Sequence, residues 1–105
     1  MSDIENAKIR NTFLGKEDHG IPSSMLSLEG DCWGQGFGGH DLRFEGKGVA
    51  LLMGILDTLR VDSWEKLPGT LVRVRRVNGR ICAVGHIVED RWFCPGDVGF
   101  QCVEK

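Results

Sequence analysis

The side chains of this sequence that could do acid–base or metal chemistry are concentrated in one segment near its start. Glu17, Asp18 and His19 are consecutive between Gly15 and Pro22, and glycine and proline at such bounds predict a loop. Carboxylates and imidazoles can transfer protons or hold a metal ion, but three consecutive loop residues rarely converge on one point. We therefore interpret Glu17, Asp18 and His19 as partner contacts or a polar turn rather than as catalytic residues.

Thiols and imidazoles raise the option of a metal site. The chain has four cysteines but no Cys-x-x-Cys pair, which is the strongest signature of structural zinc and of redox activity. His86, Cys94 and Cys102 are evenly spaced, at separations unlike those of common zinc sites. We expect free thiols, no bound metal and no cofactor. The sequence alone does not decide whether His86, Cys94 and Cys102 bind a metal ion.

A glycine-rich segment predicts a strand with one bare face. Side chains alternate across a strand, so Trp33, Gln35 and Phe37 project to one side while the intervening glycines leave the other side flat. A nucleobase could approach that backbone closely and stack on an aromatic ring. The residues that would line this small-molecule site are Trp33, Gln35, Phe37, His40 and Arg43.

The same segment, Gly34–Gly39, matches the letters of the dinucleotide-binding motif G-x-G-x-x-G. That motif must open a helix directly after a parallel strand. Here His40 to Phe44 intervene and no βαβ pattern precedes the glycines, so the sequence does not indicate a dinucleotide-binding fold.

Asn78-Gly79 lies between two β-branched runs and predicts a hairpin with a two-residue turn. An uninterrupted register pairs residue 77 with 80, 75 with 82, 73 with 84 and 71 with 86. The side chains predicted to share the outer face are Arg73, Arg75, Arg80 and His86. Those predicted to face the helix are Val72, Val74, Ile81, Ala83 and Ile87. The arginines could bind a carboxylate or phosphate on a partner, or form an ordinary solvated face.

Two adjacent aromatic residues, Trp92 and Phe93, follow the hairpin in a charged segment that Pro95 closes. One of the rings has to face inward. If Trp92 is exposed beside Arg91, it resembles the tryptophan and arginine anchors of protein interfaces; alternatively, both rings close the open end of the core. The full set of predicted partner-binding residues is Glu17, Asp18, His19, Arg73, Arg75, Arg80 and Trp92.

The elements that position these residues follow from periodicity. Alternation predicts strands over Ala7–Gly15, with Ile9 and Phe13 on one face, and over Ser23–Glu29. Apolar residues at three- and four-residue steps predict one helix over Gly48–Val61. We expect an α+β fold: an antiparallel β-meander, one central amphipathic helix packed on the sheet, and a C-terminal β-hairpin, in a single domain over residues 1–105.

The apolar arc of the predicted helix is wide, and we expect most of it to be buried. Its members are Val49, Leu51, Leu52, Met53, Ile55, Leu56 and Leu59. After the helix, Asp62-Ser63-Trp64-Glu65 has the form of a capping box and predicts one short helical turn.

Composition and charge restrict the classes of function. With 41% hydrophobic and 27% charged residues, the chain is typical of a globular domain. It has no run near the ~18 apolar residues of a membrane span and no secretory pattern at its start, so we expect a cytoplasmic protein without membrane contact. Acidic residues concentrate in the first half and basic residues in the last third, with a net charge of −2, which does not favour direct nucleic-acid binding.

Five segments together resemble a family of small, largely uncharacterised accessory proteins encoded by tailed phages and prophages. The segments are Asn11–Gly15, Glu17–Ile21, Gly34–Gly39, Trp64–Gly69 and Gly85–Phe93. The resemblance implies a phage context, in which small proteins often counter host defences, as anti-CRISPR proteins do. It assigns no catalytic or binding residue.

From these features we expect a non-enzymatic protein that inhibits a host defence protein by stoichiometric binding, with a CRISPR-Cas effector as the candidate target. Two alternatives stay open. One is a small-molecule binder that sequesters a signalling nucleotide; the other is a small hydrolase or nuclease that uses His19 or His40. The sequence also leaves open whether the protein forms a homodimer.

Overall fold

The computed structural model describes residues 2–100 and has the predicted α+β architecture. Six strands form one antiparallel sheet in the order β3-β2-β1-β4-β5-β6. The strands are β1 (Ser2–Lys16), β2 (Pro22–Gly30), β3 (Trp33–Gly38), β4 (Leu71–Val77), β5 (Arg80–His86) and β6 (Trp92–Phe93), and the helix α1 is Gly48–Leu59. Short 3-10 turns lie at Phe44–Gly46, Trp64–Lys66 and Pro95–Val98. Among residues 2–100, none of the helices has the length and apolar character of a membrane span.

The hydrophobic core lies between α1 and one face of the sheet, which we call the inner face. The strands contribute fully buried aliphatic side chains, among them Ile9, Leu28, Val72 and Val84. The buried residues of the helix are spaced as one seam, and they are Gly48, Leu51, Ile55, Leu56, Thr58 and Leu59. The expectation of one helix packed on a sheet is therefore confirmed.

The helix buries a narrower arc than its sequence predicts. Val49 is 69% exposed and Met53 is 47% exposed, although both were expected in the core. The apolar arc of the helix is wider than the surface that the sheet covers. Only the side of the helix that carries Leu51 and Ile55 packs against the sheet, and the rest of the arc is exposed. The helix ends at Leu59 rather than Val61 because Arg60 adopts a left-handed conformation with φ 60°.

A β-bulge in β1 changes which of its side chains face inward. Ile9 pairs with Leu28, but Thr12 pairs with Leu26, so that Arg10 is the extra residue in the ladder. The alternation reverses beyond this point, and Phe13, expected on the same face as Ile9, is 44% exposed. The prediction for Phe13 is therefore wrong.

A second bulge, at Cys82, changes the register of the β4–β5 hairpin. The turn at Asn78-Gly79 and the outward position of Arg75 are as predicted, but Arg75 pairs with Ala83 and Arg76 with Ile81. Ala83, which was predicted to face the helix, therefore shares the outer face with Arg75, and Val84, which the predicted register placed opposite Arg73, belongs to the core.

The bulge also moves the end of β5. His86 pairs with Val72, a core residue, and its Nδ1 accepts hydrogen bonds from the backbone N–H groups of Val88 and Glu89. It does not share the outer face with the arginines. Ile87 follows β5 and is not part of the buried cluster formed by the described residues. Both predictions fail because a simple alternation cannot anticipate an inserted residue.

The short turn after the helix is present at Trp64–Lys66, but it has no capping box. Ser63 makes no side-chain cap hydrogen bond. Instead Asp62 forms an ion pair with Lys66, with 3.0 Å between Oδ1 and Nζ.

Candidate binding surface and cleft

Trp92 lies on the outer face of the sheet, on the side away from α1. β6 pairs with β5 so that Phe93 lies opposite Val84 and Trp92 opposite Gly85. Phe93 is 4% exposed and belongs to the core. A Cβ on Gly85 would lie 2.8 Å from the Trp92 ring, so only glycine lets the indole lie against β5. One ring faces inward, as predicted, and the other is left for the surface.

Arg73 and Arg75 cover the exposed side of this indole. Their Cζ atoms lie 5.1 Å and 4.7 Å from the Trp92 ring centroid, within the range of cation–π interactions. Arg73 is fixed further because its Nε donates to the carbonyl of His86 at 2.8 Å and its Nη2 donates to the carbonyl of Glu89 at 2.7 Å. We call Arg73, Arg75 and Trp92 the arginine–tryptophan platform.

Among residues 2–100, the arginines of the platform form no salt bridge. The arginines outside the predicted contact set each form an ion pair with a carboxylate, and they are Arg10, Arg43, Arg60, Arg76 and Arg91. Within residues 2–100, no such pair involves Arg73, Arg75 or Arg80. The residues paired beside Arg75 on the neighbouring strands are Ile4 and Ala83, neither of which is acidic.

Arg80 lies apart from the platform, at the turn end of the hairpin opposite Val77. It lines a cleft of about 350 Å³ between β3 and the beginning of β5. The cleft wall also includes Phe37, Ile81 and Pro95. The predicted cationic face is thus divided between two places.

The five residues of the predicted small-molecule site do not come together. Gln35, Phe37 and His40 line the cleft. Trp33 instead donates its indole N–H to Glu5 at 2.9 Å, and Arg43 forms two hydrogen bonds with the carboxylate of Asp41. The bare face of β3 is partly covered, because Met25 Sδ lies 2.9 Å from the position of a Cβ on Gly36.

Glu5 and Arg76 form an ion pair on the inner face that the sequence analysis missed. The Nη1 of Arg76 lies 3.2 Å from Glu5 Oε2, and its Cζ lies 4.4 Å from the Trp33 ring centroid. The Arg76 side chain is only 19% exposed. The sequence held one indication of this ion pair. Arg75 and Arg76 are consecutive in a strand, so their side chains point to opposite faces and one of them has to lie on the inner face.

Gln35 extends this network across the gap between the sheet edges. Its Nε2 and Arg76 Nη2 both donate to the carbonyl of Gly79, at 3.0 and 3.2 Å. Its Oε1 accepts the backbone N–H of Ile81 at 2.7 Å. β3 and β5 are four places apart in the strand order, so the sheet curls and the Gln35 carboxamide joins its two sides.

Comparison with protein-family models, curated proteins and solved structures found no match. Any function proposed for this chain therefore depends on its own residues and their geometry. Cys102, a member of the metal set considered above, lies outside the described residues. Within residues 2–100, no group of three or more His, Cys, Asp or Glu side chains is placed to hold a metal ion.

The loop that carries Glu17, Asp18 and His19 lies near the β3–α1 connection rather than near the platform. Leu42 donates its backbone N–H to the carbonyl of Pro22 at 3.0 Å, which joins the two segments. The repulsion between Asp41, in the same connection, and Glu17 only partly offsets the hydrogen bonds, that of Ile21 foremost, that lower the pKa of Glu17. The two regions predicted to contact one partner therefore belong to different surfaces.

Glu17 organises its own loop. Its carboxylate accepts backbone N–H groups from Ile21, at 3.3 Å, and from His19. These hydrogen bonds, that of Ile21 foremost, hold the pKa of Glu17 below its ordinary value of 4.5. This arrangement is that of a structural turn, with His19 and Asp18 left on its exposed side.

Replacing Glu17 with glutamine tests this role through pH. A lowered pKa in the folded state stabilises the fold above pH 4.5, and this contribution is lost as pH falls through the folded-state pKa. We therefore expect Glu17→Gln to have a slightly lower Tm than the unmodified protein at pH 7, and the difference to shrink as the pH falls below 4.5. Thermal unfolding followed by circular dichroism between pH 7 and pH 3 measures the difference. A difference in Tm that is independent of pH would contradict the assignment.

Proposed function

We propose that this chain is a non-enzymatic binding protein that associates with an acidic surface of another protein through the arginine–tryptophan platform. The observation that carries the proposal is Arg75, a cation held over Trp92 at 4.7 Å with no salt bridge among residues 2–100. A carboxylate from a partner would form an ion pair with Arg75 and balance its charge. The resemblance to phage accessory proteins supports a host protein as the partner, and a CRISPR-Cas effector as the specific candidate.

The platform is suited to binding because its cations are already ordered. Long arginine side chains normally lose rotamer freedom on association, which weakens binding. Here the indole restrains Arg75, and two carbonyl hydrogen bonds restrain Arg73. Each guanidinium keeps further N–H donors for a carboxylate, which it can bind in a bidentate geometry. Tryptophan and arginine are also the residues that most often dominate binding energy at interfaces.

The surroundings of the platform fit a protein partner. Ala83 and Gly85, on the same face, are buried beneath the platform, so a partner would meet the platform side chains themselves. Ile4 and Leu71, on the same face, are 56% and 58% exposed. Apolar groups beside charged anchors are typical of interface patches.

The platform itself supports binding rather than catalysis. Arginine stays protonated across the physiological range, and the indole N–H of tryptophan is only a donor. None of Arg73, Arg75 and Trp92 can therefore accept a proton from a substrate, which general base catalysis requires. These residues can hold an anion in place, and nothing in their chemistry transforms it.

Substitution of Arg75 tests the proposal. The unmodified protein, as bait, is expected to retain a specific host protein, and Arg75→Ala is expected to weaken that complex at least ~30-fold, the effect of a strong interface anchor. The affinity of the purified pair, measured by calorimetry, should also fall with added salt. Arg10→Ala is the matched control, because Arg10 is exposed and paired with Glu29, and it should change the affinity less than ~3-fold. Equal affinity of Arg75→Ala and the unmodified protein would refute the platform, as would a bait that retains nothing.

A further inference from the structure

Among residues 2–100, β3 is the last strand on its side of the sheet, and its outer edge bounds the cleft. The two-residue turn at Asp31-Cys32 makes Gly30 and Trp33 a hydrogen-bonded pair, so alternate residues from Trp33 onward bond to β2. Gly39 lies an even number of residues after Trp33, and its N–H donates to the carbonyl of Ser24 at 2.7 Å, as this alternation requires. The N–H and C=O of Gly34, Gly36 and Gly38 therefore point away from β2, and the last two of these glycines line the cleft.

The opposite wall is the first part of β5, which contributes Arg80, Ile81 and Cys82. β6 pairs with Val84 and Gly85, which lie beyond this wall. The Gln35 carboxamide crosses the gap at Ile81. On one side of this crossing the cleft opens to about 350 Å³, a volume within the range of small-molecule sites.

We propose that this cleft binds an adenine nucleoside monophosphate, with its base against the β3 edge and its phosphate on Arg80. This site is separate from the platform and would give the protein a second binding activity. Arg80 lines the cleft and forms no salt bridge among residues 2–100, so a phosphate would supply the missing anion. Phe37, Ile81 and Pro95 supply apolar surface for the base.

The β3 edge matches a base more closely than it matches a simple anion. Gly36 presents an N–H donor and a C=O acceptor side by side, and adenine presents an acceptor, N7, beside a donor, the N6 amino group. Because glycine has no side chain, the ligand can reach the backbone. A simple phosphate would use Arg80 but would leave these backbone groups and the apolar wall unused.

Calorimetry on the full chain with AMP, adenosine and inorganic phosphate tests the proposal. We expect AMP to bind with the highest affinity, adenosine to bind more weakly, and phosphate alone to bind weakest. Arg80→Ala should weaken AMP at least ~10-fold, the loss of a charge-assisted contact, and leave adenosine unchanged. Arg80 is exposed, so this variant should fold normally. No heat with AMP at millimolar concentration, or equal affinity of the Arg80→Ala variant, would overturn the site.

The base contact has its own test in a pair of proline variants. Gly36→Pro removes an N–H that points to the open edge, where proline is tolerated because no ladder bond is lost. It should weaken both AMP and adenosine. Gly34→Pro is the matched control, because Gly34 has the same outward N–H but does not line the cleft. If both variants keep the secondary structure and bind alike, the proposed pose is wrong; Arg80→Ala still tests the phosphate contact if either fails to fold.

Discussion

Arg76→Ala is expected to lower the free energy of unfolding by about 2 to 3 kcal/mol, somewhat less than the loss of a fully buried ion pair. The variant removes the ion pair with Glu5, the hydrogen bond to the Gly79 carbonyl and the stack on Trp33. It also leaves the Glu5 carboxylate, whose side chain is 33% exposed, without its cation. Urea denaturation followed by circular dichroism measures the loss.

Arg75 provides the control, because it is the preceding residue and points to the other face. Arg75→Ala should change the free energy of unfolding by less than about 1 kcal/mol and yet reduce partner binding. The two substitutions thus separate stability from binding. A loss for Arg76→Ala as small as that expected for Arg75→Ala would mean that Arg76 is not a structural residue.

A double substitution isolates the ion pair within this effect. Once Arg76 is alanine, Glu5→Gln should cost little further stability, because the carboxylate it removes has already lost its cation. The interaction energy between Glu5 and Arg76 from the complete cycle should lie in the range of about 0.5 to 3 kcal/mol expected for residues in one network. A value near zero would assign the stability of Arg76 to its contact with Trp33 instead.

Several elements were predictable because local sequence alone specifies them. The Asn78-Gly79 turn needs two residues with positive φ, and their φ values are 54° and 80°. The glycine strand shows the predicted alternation, with Phe37 buried and the glycines on either side of it exposed. Periods of two and of 3.6 residues sufficed to predict the sheet and the helix.

The errors in strand faces share one cause. The bulges at Arg10 and Cys82 each insert one residue, and every side chain beyond the insertion changes face. Neither position is a glycine or a proline, so no residue type in the sequence indicated an irregularity in the strand there. Phe13, Ala83 and His86 were misplaced for this reason.

The candidate sites were predictable only in part, because they depend on how distant strands meet. Arg73 and Arg75 follow from alternation in β4, but their contact with Trp92 requires the two-residue strand β6 to pair across Gly85. The cleft requires the sheet to curl until Gln35 reaches Ile81. Curl and long-range pairing are properties of the whole sheet, and no local pattern encodes them.

Ile55→Ala is expected to lower the free energy of unfolding by about 3 kcal/mol, within the usual range of about 2 to 5 for a truncated core residue. Ile55 is 3% exposed in the seam that packs against the sheet, and alanine would leave a cavity there. The higher helix propensity of alanine offsets only a few tenths of a kcal/mol. Urea denaturation gives the value, and partner binding by the folded fraction should be unchanged because α1 and the platform lie on opposite faces.

Met53→Ala decides how the helix is rotated on the sheet. Met53 lies two residues before Ile55 and is equally apolar in character, but it is 47% exposed, so its truncation should change stability by less than about 0.5 kcal/mol. The sequence alone placed both residues in one wide arc. If Met53→Ala costs as much as Ile55→Ala, the helix packs through the centre of that arc, and the seam through Leu51 and Ile55 is wrong. A large difference between the two variants fixes the buried face of α1, and with it the inner face of the sheet.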